Sequence, residues 1–127
     1  MADLLEQASS WLAGQRTKFL SRTVVYCRGD VSVEVQASIG KTTFDIDDGY
    51  GAVESWESRD FLIAAANLVL SGVDVLPVAG DRINEVQDGL TFVYEVLAPG
   101  KEPCWRYSDP YRTTLRIHTK QVAVCPA

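Results

Sequence analysis

The Asp88-Gly89 pair constrains the fold of this chain more than any other feature. It stands between two short runs rich in β-branched and aromatic residues, DRINEV (81–86) and LTFVYEVLA (90–98). Because glycine and aspartate tolerate positive φ, an Asp-Gly pair favours the two-residue turn of a β-hairpin. The sequence therefore predicts two neighbouring antiparallel strands in this part of the chain.

Alternating apolar and polar residues predict further strands earlier in the chain. In VSVEVQA (31–37) an apolar side chain recurs at every second position, which is typical of a half-buried strand. The tripeptide Arg28-Gly29-Asp30 before it predicts a turn, and TVVYC (23–27) precedes that turn. The segment IGKTT (39–43) resembles the end of a phosphate-binding loop, but it lacks the first glycine of that motif. We therefore predict a second hairpin turn at 39–41 instead.

The rest of the chain is also read as short strands and loops. TFDID (43–47) is a strand candidate, DDGYG (47–51) a loop and residues 52–63 a mostly polar strand. Residues 64–72 fit either a short helix or a strand. The last predicted strand is TTLRIHTKQV (113–122), which follows a turn at Asp109-Pro110.

Residues 3–20 have the pattern of an amphipathic helix. Asp3 can cap it, and the apolar residues fall on one stripe: Leu4, Leu5, Ala8, Trp11 and Leu12. Such a stripe must cover something, either one end of a barrel or a neighbouring subunit.

These elements predict a mainly β protein, a small antiparallel β-barrel or sandwich with an N-terminal amphipathic helix. At 127 residues the chain suits a single domain, with the helix at 3–20 and the barrel at 23–122. The net charge of −5 disfavours a surface that grips nucleic acid. We expect no signal peptide, and no membrane span in the interrupted apolar region 61–80.

The segment from Trp105 to Arg112 concentrates aromatic and arginine side chains. One interpretation is a protein interface, where these residue types are enriched, formed by Trp105, Arg106, Tyr107, Tyr111 and Arg112 together with Trp11 of the helix. A second is structural, with Trp105 and Tyr107 capping the barrel. Base stacking is a third, which the negative net charge disfavours.

Catalytic and cofactor chemistry finds little support in the sequence. His118 is the only histidine and has no partner at metal-ligand spacing, so we predict a partly exposed, non-catalytic residue. Cys27, Cys104 and Cys125 are predicted to be free thiols. Asp45, Asp47 and Asp48 are interpreted as a solvated hairpin tip. We expect no enzyme activity, no metal and no cofactor.

Three segments in order resemble a known family. PVAGDRI (77–83) precedes a strand, a hairpin ending in VYEVLAP (93–99) follows it, and WRYSDPYRTTLRIHTK (105–120) comes last. This arrangement resembles the head–tail joining proteins of tailed bacteriophages and prophages, of the head-closure or stopper class. The resemblance covers residues 52–122, and within it Gly80 and Asp81 would shape the start of a barrel strand.

The resemblance implies a structural protein of the virion neck, assembled in the host cytoplasm. Its subunits would form a homo-oligomeric ring, a hexamer or dodecamer, that closes the portal channel, retains packaged DNA and offers a docking face to the tail. The implied partners are portal, adaptor and tail proteins, with non-specific contact to packaged DNA and no membrane.

Other functions stay open at this point. The long N-terminal helix would also suit an adaptor or a tail-completion protein. A β-barrel module that binds a ligand through residues 105–112 is an alternative of another class. A small hydrolase that pairs His118 with Asp109 or Asp81 is the third, and it would need a nucleophile and a base in contact.

Overall fold

The protein is described from a computed structural model that covers residues 21–47, 49–51, 53–100 and 102–126. Nine strands make up most of it. They are β1 (Arg22–Arg28), β2 (Val31–Asp47), β3 (Val53–Ala64), β4 (Val69–Leu70), β5 (Val73–Asp74), β6 (Arg82–Gln87), β7 (Leu90–Val96), β8 (Trp105–Tyr107) and β9 (Thr114–Pro126). The predicted mainly β class is confirmed, whereas the predicted helix at 3–20 lies outside the described residues.

Seven of these strands form one antiparallel sheet in the order β3-β2-β1-β6-β7-β9-β8. Strand β3 also pairs with β9, from Arg59↔Thr119 to Ala64↔Thr114. Six strands are therefore paired in a closed circuit that runs β1, β2, β3, β9, β7, β6 and back to β1. The short strands β4 and β5 pair only with each other.

Two of the predicted turns are present where glycine permits them. Strands β6 and β7 are joined by Asp88 and Gly89, whose φ angles of 54° and 78° are those of the predicted hairpin turn. Strands β1 and β2 are joined at Gly29, with a φ of 59°, which confirms the turn interpretation of the Arg-Gly-Asp tripeptide.

The turn predicted at 39–41 is wrong, because β2 continues unbroken through it. Gly40 lies opposite Asp60 of β3 in the middle of a long ladder. A Cβ atom at Gly40 would lie 3.2 Å from a guanidinium nitrogen of Arg116 and 3.3 Å from a methyl carbon of Leu62. Gly40 therefore leaves room for the side chains of Arg116 and Leu62 to pack against β2, and it does not turn the chain.

Other elements differ from the predictions in their length or type. Residues 64–72, ambiguous in sequence, form a 3-10 turn at Ala65–Asn67 and then the first strand of the small β4–β5 hairpin. Strand β9 continues to Pro126, four residues beyond its predicted end at 122. The strand predicted over 52–63 corresponds closely to β3.

The hydrophobic core draws on alternate positions of the six strands in the circuit, since alternate side chains share one face of a sheet. Its largest fully buried apolar side chains are Tyr26, Phe61, Ile63, Leu68, Ile83, Leu115 and Ile117. Trp105 and Tyr107 of β8 pack against this cluster from its margin. The core thus fixes β3, β8 and β9 relative to one another.

The substitution Gly40→Val should destabilise the fold by about 2 kcal/mol, because added methyl groups would press on Arg116 and Leu62 in a packed region. Urea unfolding measures the change in the free energy of unfolding. Thr43→Val, at an exposed position of the same strand, is the control and should change it by less than about 0.5 kcal/mol. An unchanged stability of Gly40→Val would contradict the role given to this glycine.

Candidate functional site

Strand β8 holds the aromatic part of the predicted interface against the core. Trp105 pairs with Ile117 and Tyr107 with Leu115, so both aromatic side chains share the face of those two buried residues. Their rings meet edge to face with centroids 5.0 Å apart. Both aromatic residues are half-buried, which matches the interpretation that they cap the core.

The arginines of this segment are the exposed part. Arg106 lies between the two aromatic residues of β8 and points to the opposite face, opposite Arg116 in the ladder. Arg112 has a φ of 60° and places its guanidinium carbon 5.8 Å from the centroid of the Tyr107 ring. The structure therefore brings Trp105, Tyr107 and Arg112 together, while Arg106 lies on the other face.

Two other members of the predicted interface add less. Tyr111 is half-buried in the loop between β8 and β9, next to Arg112. Trp11 lies outside the described residues. The exposed surface of this segment therefore consists chiefly of Arg106 and Arg112, and we call these two side chains the arginine rim.

Asp109 shapes the loop that presents Arg112. Its Oδ1 atom accepts hydrogen bonds from the backbone N–H groups of Thr113 and Thr114, both at 3.0 Å. Its Oδ2 atom accepts one from the Thr113 hydroxyl at 2.6 Å, and the Arg112 N–H bonds to the Asp109 carbonyl at 3.3 Å. Burial raises the pKa of Asp109, but these hydrogen bonds outweigh it and lower the pKa below its ordinary value.

His118 is buried, so the prediction of a partly exposed histidine is wrong. It lies opposite Asp60 in the β3–β9 ladder, and its Nδ1 atom is 2.9 Å from Asp60 Oδ1. The Phe44 ring meets the imidazole edge to face with centroids 5.0 Å apart. The alternation of β9 placed this histidine on the polar side of the strand, but pairing with β3 and contact with β2 side chains cover that side as well.

Asp60 collects the polar groups around it into one buried cluster. Its carboxylate accepts hydrogen bonds from the hydroxyls of Ser58 and Thr42, and Arg116 Nη1 lies 2.7 Å from Oδ2. Asp60 is fully buried and Ser58 is 1% exposed. We call Asp60, Ser58, Thr42, Arg116 and His118 the Asp60 cluster.

The geometry of the Asp60 cluster does not suit a serine hydrolase. In a catalytic triad the aspartate and the serine contact different nitrogens of the histidine ring. Here Asp60 and Ser58 both approach Nδ1, at 2.9 Å and 3.5 Å. Ser58 also donates its hydroxyl proton to Asp60. The pairings of His118 with Asp109 or Asp81 are wrong as well, since both aspartates bind other residues.

Hydrogen bonding keeps Asp60 ionised despite its position. Burial is the largest influence and acts to raise its pKa. The hydrogen bonds from His118, Ser58, Thr42 and Arg116 together overcome it, so the pKa of Asp60 lies well below its ordinary value of 3.8. A carboxylate with a lowered folded pKa stabilises the fold above its unfolded pKa and loses that contribution as the pH falls.

Protonation of Asp60 should therefore contribute to acid unfolding. Between about pH 5 and pH 2 the wild type should lose on the order of 2 kcal/mol more stability than Asp60→Asn, which has no carboxylate to protonate. Urea unfolding at a series of pH values measures this difference. Asp30→Asn, at an exposed turn position, should keep the wild-type pH dependence. Parallel curves for wild type and Asp60→Asn would contradict the assignment.

Asp81 anchors the segment that carried the family resemblance. Its carboxylate accepts hydrogen bonds from the Tyr26 hydroxyl, from Arg28 Nη2 at 2.8 Å and from the Val78 N–H at 3.0 Å. Gly80, with a φ of 98°, donates its N–H to the Val96 carbonyl at 2.8 Å. These bonds fix the loop before β6 to β1 and β7.

The contacts of Asp81 change its own pKa and the pKa values of Tyr26 and Arg28. Burial raises the pKa of Asp81, but hydrogen bonds from Arg28, Tyr26 and Val78 lower it below its ordinary value. Burial also raises the pKa of Tyr26, and the Asp81 hydrogen bond adds to that rise. The hydrogen bond to Asp81 raises the pKa of Arg28. Asp81 is thus a structural anion.

Removal of this anchor should be costly. Asp81→Ala should lower the free energy of unfolding by about 3 kcal/mol, because it leaves the buried Tyr26 hydroxyl and part of Arg28 without an acceptor. Asp74→Ala is the matched control at an exposed strand position and should change stability by less than about 0.5 kcal/mol. Equal effects of the two substitutions in thermal unfolding would contradict the anchoring role.

A third buried carboxylate, that of Glu85, is held in an ion pair on the core side of the sheet, and this pair was not predicted. Arg59 Nη2 is 2.9 Å from both carboxylate oxygens of Glu85, which is 1% exposed. The Arg59 guanidinium also lies over the rings of Phe61 and Tyr94, at 5.6 Å and 5.1 Å. Glu85 appeared as an ordinary polar position of a strand, and only the pairing of distant strands brings Arg59 to it.

The described residues hold no group of three or more potential metal ligands placed to bind one ion. They include no helix long and apolar enough to cross a membrane. Cys27, Cys104 and Cys125 are free, as predicted. In the described part of the chain, the buried carboxylates of Asp60, Asp81 and Glu85 each bind an arginine of a distant strand.

A family model described as "Phage head-tail joining protein" matches residues 2–126, which is nearly the whole chain. No curated protein matches the sequence.

Proposed function

The chain belongs to the family of phage head–tail joining proteins, and we propose that it forms the ring in the virion neck that closes the portal channel. The match over residues 2–126 is the observation that carries this proposal. The family supports a structural role in the phage neck, with head and tail proteins as partners. The ring, the closure of the channel and the retention of DNA are our extension of it.

Several features of the chain support a structural role. We treat the closed circuit of six strands as the small barrel predicted from the sequence, a rigid body suited to repeated assembly. The buried polar groups described above join strands. The proposed role needs no catalytic step and no cofactor.

The charge of the chain suits a channel that DNA must pass. A lining rich in lysine and arginine would hold phosphates by releasing their counterions, and would slow the movement of DNA. The net charge of −5 works against such retention along the wall. In this proposal DNA is retained by physical obstruction of the channel.

We assign docking to the edge of the sheet at β8, where Arg112 lies on the side of the aromatic pair and Arg106 on the opposite side. Arg106 and Arg112 are exposed, and arginine is enriched at the centres of protein interfaces. Asp109 holds the Arg112 loop in a defined shape, which lowers the entropy lost on binding. The ligand-binding alternative gains less support, because Trp105 and Tyr107 pack toward the core instead of lining an open groove.

The double variant Arg106→Ser/Arg112→Ser tests this docking face. We expect it to keep the wild-type melting temperature but to lower the yield of infectious particles by at least about tenfold, because each subunit would lose docking contacts. Arg82→Ser/Lys41→Ser is a control for charge alone, since both side chains are exposed and lie on β6 and β2.

Electron microscopy of the defective particles identifies the partner. Filled heads without tails would place the docking face toward the tail, as we propose for a stopper. Emptied heads would contradict that assignment and favour an adaptor that binds the portal side. A full yield of infectious particles from the double variant would overturn the docking role of the arginine rim.

A further inference from the structure

Two strand edges in the described part of the chain stop pairing at the same point. Strands β3 and β9 pair with each other only from Arg59↔Thr119 to Ala64↔Thr114. Residues 53–58 of β3 continue with β2 on one side, and residues 120–126 of β9 continue with β7 on one side. No described strand pairs with the other side of either segment.

A bulge accounts for the separation of these two strands. The register of β9 against β7 skips Val122, between the pairs Val93↔Ala123 and Tyr94↔Gln121. A bulge bends and twists its strand, and this one lies just after Thr119, where the pairing with β3 ends. One chain therefore cannot extend its own β3–β9 ladder, although both strands continue for six or seven residues.

The two free edges are complementary to each other. They already pair as antiparallel strands within the chain, so their direction and hydrogen-bonding pattern agree. Continuation of the same register would place Trp56 opposite Val122 and Ser55 opposite Ala123. Val122 and Val124 are 44% and 47% exposed, and an exposed strand edge with apolar side chains is a template for another strand.

We propose that the free edge of β9 in one copy pairs with the free edge of β3 in the next copy, in continuation of the intramolecular register. A second copy is the occupant because every copy carries both halves of the contact, and the β3–β9 ladder shows that the halves fit. The two edges differ from each other, so the contact is head to tail and closes into a ring when the rotation between copies permits it.

This inference rests on the proposed ring and names the contact that forms it. It gives a mechanism in which the ladder interrupted within each chain is completed between chains. The β2–β3 hairpin, with its exposed tip at residues 49–51, would then lie along the neighbouring copy. The arginine rim is not part of this contact and stays available for other neck proteins.

Cysteine cross-linking in assembled particles tests the register. Ser55→Cys and Ala123→Cys are introduced together in a Cys125→Ser background, since Ser55 and Ala123 are exposed and the native Cys125 lies close by. Particles are oxidised and examined on non-reducing gels. We expect a ladder of covalent oligomers that dithiothreitol returns to monomer.

Two controls separate this contact from other arrangements. Each single cysteine variant should give monomers only, because the head-to-tail contact never brings two identical edges together. Replacement of Ser55→Cys by Glu34→Cys, at an exposed position of β2, should abolish the ladder. Dimers from Ala123→Cys alone would overturn the proposal in favour of symmetric pairing of two β9 edges.

The outcomes also separate this inference from the proposed function. Particles that contain the chain but give no ladder would overturn the strand contact and leave the neck role intact. Particles that lack the chain altogether would contradict the proposed function itself. A ladder that reaches a single largest species would support both.

Discussion

The pairing of β3 with β9 is the contact on which the rest of the structure depends. These strands are about 55 residues apart along the chain, and their ladder completes the circuit of six strands. Asp60 secures it from one face, where Arg116 and His118 of β9 reach its carboxylate. Phe61 and Ile117 secure it from the other face, inside the core. Strand β8 pairs with residues 115–117 of β9, the same segment that this ladder holds against β3.

The ladder also organises the surfaces with proposed functions. Its β9 side supports β8 and so fixes the aromatic pair beneath Arg112. Its sudden end at Arg59↔Thr119 leaves two complementary edges, to which we assign the contact between copies. One element of the fold would thus determine both how copies join and which side chains they present to other neck proteins.

Local sequence patterns predicted the elements that local chemistry determines. The turn at Asp88-Gly89 was correct because positive φ at two successive residues is a property of those residues. The same reasoning wrongly predicted a turn at Gly40. A glycine stands there because Arg116 of a distant strand needs the space that a side chain would fill. His118 was misplaced for a related cause, because strand alternation identifies a side but does not show what covers it.

The candidate site was predictable only in part. The concentration of aromatic and arginine residues identified the segment 105–112, but the separation of Arg106 from the aromatic pair required the face of β8 to be known. The Asp60 cluster and the Arg59–Glu85 pair join strands that are neighbours only in the folded sheet. The family resemblance, carried by three short segments, indicated the neck role that the match over residues 2–126 supports.

A cryo-electron microscopy reconstruction of the neck in intact particles would locate the copies of this chain and their contacts. We expect a closed ring of this chain between the portal and the tail, with β3 of each copy running beside β9 of the next and the arginine rim facing an adjoining protein. Density for the chain outside the neck, or a neck in which its copies do not touch, would contradict it.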